Sequence, residues 1–323
     1  MRAVPTSIWF WIAFHIGVFV ALIVDLVSFK HRGRALSMRA AARRSILWVV
    51  LSLAFNLLVW HLKGPEKALE FFTGYLIEYS LSVDNIFVFV LIFRYFRVPA
   101  MAQHRVLVWG ILGALVMRGI MIWLGVALVS RFHFVLYIFG VFLVITAGRM
   151  FFSKADEREF AESWLMRFFL KTIPVTRDFY GEHFKARIDG KWKLTPLALV
   201  LIVIDVMDLV FAVDSIPAVF AITQDIFIVY TSNICAILGL RSLYFLLANL
   251  MDRFVYLKTG LALILGFVGF KMILADVFHI PNLLSLVVIV VILTVTISIS
   301  MRATRDAPPP PPPPAPPRPK IRG

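Results

Sequence analysis

The chain has 323 residues, of which 60% are hydrophobic and 16% charged, and its mean hydropathy is +0.87. A soluble domain has about 45–50% apolar and about 25% charged residues, so this composition excludes an ordinary soluble protein. The formal charge of +14 does not indicate nucleic-acid binding, because most Lys and Arg residues lie in loops between apolar runs. We therefore expect membrane lipid, and no nucleic acid, around this chain.

Nine apolar runs are near the length that spans about 30 Å of hydrocarbon. They cover residues 7–29, 45–62, 68–93, 106–129, 132–152, 195–223, 226–249, 254–275 and 281–300. The first run is longer than the core of a signal peptide, and its basic cluster follows it, so we expect it to stay as a membrane helix. The predicted fold class is all-α: a polytopic helical membrane protein with about nine transmembrane helices.

The basic residues indicate an orientation. Of the 33 Lys and Arg residues, 25 lie in loops on the side of the 30–44 loop, and the opposite side holds four. Lys and Arg near helix ends are retained in the cytoplasm. We therefore expect the N-terminus outside the cell and the C-terminus in the cytoplasm.

An acidic motif occurs twice, as EYSLSVDNI in residues 78–86 and as DLVFAVDSI in residues 208–216. Further matches keep a similar offset, of 130, 123 and 122 residues, for Asp84 and Asp214, Arg118 and Arg241, and Arg149 and Lys271. Each unit would contain three helices, so the second unit must enter the membrane from the other side. This 3+3 inverted repeat is the architecture of many secondary transporters, whose substrate sites lie near the midplane between the repeats.

The repeat divides the chain into six segments. They are an N-terminal two-helix extension (1–67), the first repeat (68–152), a cytoplasmic amphipathic loop (153–194), the inverted second repeat (195–275), a ninth helix (276–306) and a proline-rich tail (307–323). The loop should hold a short amphipathic helix at the membrane surface. The tail contains seven consecutive prolines, which favour a disordered polyproline stretch. It is either a low-complexity extension or a docking peptide for a protein partner.

Carboxylates inside apolar runs are a functional-site hypothesis, because each costs roughly 2.5–3.5 kcal/mol at a helix centre on insertion scales. The acids that we single out are Glu78, Asp84, Asp205, Asp208 and Asp214. Only Arg118 and Arg241 oppose them in the middle of predicted helices. The excess of negative charge indicates a cation or protons at this site.

Helical spacing divides these acids into two groups. One face of the third helix carries Glu78, Ser82 and Asn85, and one face of the sixth carries Asp208 and Ser215, with Asp205 a turn earlier. Asp84 and Asp214 fall about 120° away from those faces. Two arrangements are compatible with this spacing.

In the first arrangement, the sixth helix is broken near Pro217, which frees backbone carbonyls as extra ligands. In the second, Asp84 and Asp214 pair with the arginines, and the remaining acids hold the ion. Both use oxygen ligands, which suit hard divalent cations such as Mg, Ca and Mn. With Cys235 as its one cysteine, the chain offers neither an internal disulfide nor a thiolate cluster.

The predicted metal ligands are Glu78, Asp84, Asn85, Asp205, Asp208, Asp214 and Ser215, with Arg118 and Arg241 as supporting ion pairs. Asn233 is either a further ligand or a hydrogen-bonding contact between helices. Asp25 either collects departing cations or pairs with the basic loop that follows its helix. We expect no enzyme and no bound cofactor, because no nucleophile has a matched base and no phosphate-binding loop is present.

A family resemblance rests on four stretches: TGYLIEYSLSVDNIFVF, DLVFAVDSIPAVFAIT, TSNICAILGLRSLYFLL and GFKM. They resemble the TerC/Alx family of bacterial integral membrane proteins, within the lysine-exporter-like superfamily, from Trp9 to about Ser300. The chain departs at Tyr79 and Asp205 from one member of the family, which has lysine and glutamate there. The acids carried over by the resemblance are Glu78, Asp84, Asp208 and Asp214, with Asn85 and Ser215 beside them.

The resemblance implies a manganese exporter of the bacterial inner membrane, with family links to metal stress, alkaline pH and, in the name, tellurium resistance. The function predicted is therefore export of Mn²⁺ through a midplane carboxylate site, with proton antiport as the coupling hypothesis. Two alternatives stay open. One is a non-transporting membrane scaffold or insertion factor in a metal or tellurite stress complex, and the other is an exporter of another small cation.

Overall fold

The computed structural model describes residues 8–30, 38–132, 134–152, 175–176, 178–188, 191–248, 256–275, 277–278 and 280–304. Its elements are α1 (Ile8–Lys30), α2 (Met38–Lys63), α3 (Pro65–Tyr95), α4 (Ala100–Arg131), α5 (Val135–Phe152), β1 (Lys185–Ile188), β2 (Lys191–Leu194), α6 (Pro196–Phe220), α7 (Ile226–Leu238), α8 (Leu240–Leu247), α9 (Leu257–Ile273) and α10 (Asn282–Ala303). Helices dominate because a membrane helix satisfies its own backbone N–H and C=O groups where water is absent.

Seven of these helices are long and apolar enough to cross a membrane: α1 to α6 and α10. The pair α7 and α8, bent by 43°, makes an eighth candidate span. Helix α9 has 17 residues, at the lower end of the spanning range. The chain is thus a polytopic helical membrane protein, as the sequence predicts.

The predicted break near Pro217 is wrong, because α6 continues without interruption from Pro196 to Phe220. Pro217 lies in the last turn and offers no N–H to the carbonyl of Val213, but the helix is not interrupted there. The bend occurs instead in the next span, at Gly239 between α7 and α8. The irregular backbone therefore lies one span later than the sequence indicates.

The helix–helix contacts between the two three-helix units stay the same when equivalent helices of the units are exchanged. The first unit is α3, α4 and α5, and the second is α6, the α7–α8 pair and α9. Helix α3 packs on α7 as α6 packs on α4, and α3 also meets α6, α4 meets α7, and α5 meets α9. Of the seven long helices, α3 and α6 are the most buried: 69% and 50% of the residues in their most apolar stretch are buried. The contact between α3 and α6, the first helices of the two units, therefore lies at the centre of the protein.

Equivalent helices of the two units run in opposite directions. Glu78 of α3 contacts Ser215 of α6, whereas Glu70 contacts Thr223, so the sequence rises along one helix as it falls along the other. The same reversal relates α4 to the α7–α8 pair, from Gln103 with Tyr244 and from Gly119 with Tyr230. This is the arrangement of an inverted repeat.

A β-hairpin precedes α6, where we expected an amphipathic helix and a loop. Strands β1 and β2 pair antiparallel, and Phe184 before them packs on Trp109 and beneath Arg105 of α4. The short strands were missed because their alternation is brief and mixed with charge. Residues 153–174, the first part of the segment 153–194 in which a helix was expected, and the tail from 305 lie outside the described residues.

The third pair of equivalent helices, α5 and α9, meets through glycines. A Cβ atom on Gly140 would lie 3.0 Å from the Gly269 carbonyl oxygen, and one on Gly269 would lie 2.8 Å from the Gly140 carbonyl oxygen. Gly266 faces Ala147, so these helices are also antiparallel. Small residues let helix backbones approach closely in a membrane, where apolar burial gives no drive between helices.

We expect Gly140→Ala to lower the thermal stability of the purified protein, because the new methyl group would meet Ile273 at 2.8 Å and the α9 backbone. Overpacking of this kind costs about 1–3 kcal/mol. Gly148→Ala is the matched control on the same helix, since nothing lies within 4 Å of a Cβ atom there. Equal melting temperatures for the two variants in detergent would contradict this view of the contact.

Candidate functional site

Arg118 of α4 holds a carboxylate from each unit. Its Nε donates to Asp208 Oδ2 at 3.0 Å and its Nη2 to Oδ1 at 2.9 Å, and its Nη1 donates to Glu78 Oε1. The forked contact with Asp208 is the strong, directional type that guanidinium groups form with carboxylates. Arg118 and Glu78 are 0% exposed and Asp208 is 2% exposed. We call these three residues the charged seam.

Glycines bring α4 close enough to α6 for this contact. A Cβ atom on Gly113 would lie 2.9 Å from Asp205 Oδ1, and one on Gly125 would lie 2.7 Å from Phe220. Gly110 faces Ile204 at 3.4 Å. The three glycines follow one another along α4 and meet successive positions of α6, so these two helices run parallel.

Several buried oxygens around the charged seam lack a hydrogen-bond partner. Ser215 donates to Glu78 Oε1 at 3.3 Å, but Glu78 Oε2 has no partner among the described residues. The same holds for Asp205 Oδ1 and Ser82 Oγ. Buried polar atoms are normally paired, so oxygens of this kind are where water or a cation binds. Asn85, on the same face of α3, is also buried.

The acids pair differently from the second arrangement that the sequence allowed. Asp214 accepts a hydrogen bond from Thr146 of α5 at 3.3 Å and forms no ion pair with an arginine of the described ranges. The side chain of Asp84 lies outside the described part of the structure. It is Glu78 and Asp208 that contact Arg118, and this follows from the helix faces, because both acids face the seam. Asp214 is turned about 120° away.

Arg241 follows the bend between α7 and α8 and contacts the N-terminal extension. Its Nη2 donates to the carboxylate of Asp25 in α1 and lies 3.4 Å from the Asp25 carbonyl oxygen. Asp25 also contacts Arg44 of α2 at 3.5 Å. Through Arg44, Asp25 thus pairs with the basic segment after its helix, which is one of the two roles considered for it. It also pairs with Arg241.

Of the two roles considered for Asn233, the hydrogen bond between helices is not formed among the described residues, and the role of ligand stays a prediction. Its side chain is 0% exposed, and neither amide atom has a partner among the described residues. Gly74 of α3 lies against Ser232, and Tyr79 lies against Gly239, so α3 and α7 run parallel here. Asn233 is therefore level with the turn of α3 that precedes Glu78.

A second polar network, which sequence reasoning missed, lies at the start of α3. Glu70 is 5% exposed and accepts hydrogen bonds from Lys67, at 2.7 Å, and from Thr223 after α6. Thr223 accepts from the backbone N–H of Asp225, whose carboxylate contacts Lys63 at 3.1 Å. The signal was a carboxylate within the apolar run 68–93, but it has no acidic counterpart in the second unit. This α3-start network ties the first unit to the second.

A small cavity lies on the side of the charged seam that faces away from the α3-start network. Asp208 lines it with apolar side chains from the second half of α3 and the first half of α4, such as Phe89 and Leu107. Its volume is about 10 Å³, close to the smallest that holds one water molecule. Within the described residues, no group of three or more His, Cys, Asp or Glu side chains is placed to hold a metal ion. In this state, the guanidinium of Arg118 binds the carboxylates of both Glu78 and Asp208.

Fold and site together define a polytopic helical membrane protein in which two inverted three-helix units share a buried charged seam. Residues 63–307 match the integral membrane protein TerC family. The chain belongs to this family, as its motifs indicated. No solved structure matches the chain significantly.

Relatives cover most of this chain and most of their own length. "Uncharacterized membrane protein STKORF319" of Myxococcus xanthus is 49% identical over 86% of this chain and 87% of its own. "Putative membrane-bound redox modulator Alx" of Escherichia coli K12 is 48% identical over 89% and 92%. "Uncharacterized membrane protein" of Rickettsia felis is 40% identical over 86% and 92%. The similarity therefore includes both repeats.

We expect Asp208→Asn to destabilise the purified protein more than Asp214→Asn does. Arg118 stays paired with Glu78 in Asp208→Asn, so the cost is the loss of a forked, charge-assisted contact, about 1.5–3 kcal/mol. Asp214 accepts a single hydrogen bond of 3.3 Å from a hydroxyl, worth about 1 kcal/mol. Both changes are isosteric and lie on the same helix. Chemical unfolding in detergent measures the difference, and a larger loss for Asp214→Asn would contradict the assignment of the seam.

Proposed function

We propose that this protein is a secondary transporter that exports divalent manganese from the cytoplasm. One observation carries this proposal: equivalent carboxylates from the two inverted units, Glu78 and Asp208, meet at one buried point. In inverted-repeat transporters, substrate and ion sites lie at the interface between the repeats, near the midplane. A carboxylate pair placed there suits a cation.

The donor set supports a hard divalent ion. Carboxylate, hydroxyl and amide oxygens are the ligands preferred by Mn²⁺ and its neighbours Mg²⁺ and Ca²⁺. Glu78 Oε2 is buried without a partner among the described residues, and so is Asn233 Oδ1. Displacement of Arg118 would add the remaining oxygens of Glu78 and Asp208. Asp84 and Asp214 stay candidate ligands for a rearranged site.

The described state supports alternating access. With the N-terminus outside, as the basic loops predict, the α3-start network closes the outer end of the seam by the contact of Glu70 with Thr223. The cavity beside Asp208 then lies toward the cytoplasm. Opening the network on reorientation would release the ion outward, and protons entering the empty carboxylates are the coupling that we propose.

The relatives named as redox modulators suggest a redox connection, which we assign to the metal and not to a thiol. Cys235 is the one cysteine of the chain, is 7% exposed and is packed among apolar side chains. A disulfide exchange reaction needs an accessible thiolate. We therefore assign no thiol chemistry to Cys235. As the family resemblance implies, we propose transport across the bacterial inner membrane, without an enzymatic step.

We expect vesicles containing the unmodified protein to show Mn²⁺ flux. In Glu78→Gln and in Asp208→Asn this flux should fall by at least about tenfold, because each change removes the charge of a ligand. Glu66→Gln is the matched control, because Glu66 is an exposed carboxylate at the start of α3. Flux at the wild-type rate in a folded Asp208→Asn protein would reject the site.

Removal of residues 307–323 separates transport from a scaffold role. We expect the shortened protein to keep its Mn²⁺ flux, because the charged seam lies in the helices. A scaffold that recruits partners through the proline-rich tail would lose its cellular effect on this deletion. Metal tolerance of cells that express the two forms provides the measurement, and loss of tolerance with flux retained would favour the scaffold.

A further inference from the structure

The two carboxylates of the charged seam are equivalent, but the two arginines are used differently. Glu78 and Asp208 occupy matching positions of the inverted units, as do Arg118 and Arg241. Arg118 contacts both carboxylates. Arg241 instead contacts Asp25, which belongs to α1 and therefore to neither unit. The two equivalent carboxylates thus bind one of the two equivalent arginines, Arg118, while the other contacts Asp25.

Two inverted units of the same fold adopt each other's conformations when a carrier reorients. This exchange would bring Arg241 to the position that Arg118 now occupies, and it would release Arg118. We propose that Glu78 and Asp208 are held alternately by Arg118 and Arg241, so that a guanidinium replaces the transported cation while the carrier reorients empty. This inference rests on the proposed export function.

The physical reason is the state of the carboxylates after the ion has left. Two adjacent buried carboxylates without a cation repel each other and lack water, which is strongly unfavourable in a low-dielectric interior. A guanidinium on the same chain is always available and always charged, and its forked donors fit a carboxylate. It neutralises one of the two carboxylates, and a proton of the proposed antiport neutralises the other, so guanidinium and proton together replace the divalent ion on the return step.

Each arginine then needs an acceptor when it is away from the seam. For Arg241 the structure shows this acceptor, Asp25. For Arg118 the geometry points to Asp205, which lies one turn before Asp208 on α6 and against Gly113 of Arg118's own helix. Asp205 Oδ1 is buried without a partner among the described residues, as a vacant acceptor would be.

These two acceptors share another property. The position of the first unit that matches Asp205 is Tyr75, and Asp25 precedes both units. The two acids of the carboxylate pair are thus duplicated by the repeat. The acids proposed to receive a released arginine are not. Helical side chains lean toward the N-terminus of their helix, so Arg118 can turn back toward Asp205 along the parallel α4 and α6.

The test compares two Mn²⁺ assays on the full chain in vesicles. Net flux into Mn²⁺-free medium requires the empty carrier to return, whereas exchange of Mn²⁺ for Mn²⁺ requires only the loaded carrier. The combined variant Arg241→Gln with Asp25→Asn removes both charges of the Arg241–Asp25 pair. Asp25→Asn alone is measured beside it, because Asp25 also contacts Arg44 at 3.5 Å. We expect its net flux to fall at least about tenfold while exchange changes by less than about twofold.

A second variant, Arg241→Lys, retains a cation beside Asp25, so the ion pair that stabilises the fold is kept. A lysine ammonium cannot form the forked contact with a carboxylate, so net flux should again fall more than exchange. Arg302→Gln is the control, because Arg302 is exposed at the end of α10, and it should keep both rates.

Three outcomes are decisive. Wild-type net flux in both Arg241 variants would overturn the inference, since Arg241 would then serve only Asp25. Equal loss of net flux and exchange would overturn it too, because the arginine would then act on the loaded carrier or on folding. If the unmodified protein moves Mn²⁺ in neither assay, the proposed export function fails instead.

Discussion

The placement of Arg118 between Glu78 and Asp208 is the interaction on which the rest of the structure depends. It joins three helices, α3, α4 and α6, from both units. A guanidinium at 0% exposure is tolerated in a membrane interior only when its donors are met by acceptors, and a carboxylate there has the opposite requirement. The charged seam therefore determines how the two units are arranged around each other.

Small residues make that arrangement possible. Glycines along α4 bring Arg118 to α6, and Gly140 and Gly269 bring α5 to α9 at backbone distance. Apolar side chains add little between helices in lipid, so close packing and polar contacts supply the association. The protein thus combines close glycine packing between its units with the buried polar contact of the charged seam. That combination suits a carrier that reorients without coming apart.

The sequence predicted which acids share a face of their helices better than it predicted the partners of those acids. The offset of 130 residues identified Glu78 and Asp208 as equivalent, and helical spacing placed them on the faces that meet. It did not identify Thr146 as the partner of Asp214 or Asp25 as the partner of Arg241. These contacts join residues 68 and 216 positions apart, and spacing along one helix carries no information about them. Glu70 was missed because it has no repeated counterpart.

By itself, the sequence determined the class of the protein, its spans and its inverted repeat, because hydrocarbon imposes apolar runs of a fixed length and because an odd number of helices reverses the second copy. Only the tertiary structure decided the bend at Gly239, the unbroken course of α6 through Pro217 and the choice of Arg118 over Arg241 for the carboxylates. Those features depend on which helices touch and on which buried charges must be satisfied together. A periodic pattern fixes the faces of a helix but not the neighbour that each face meets.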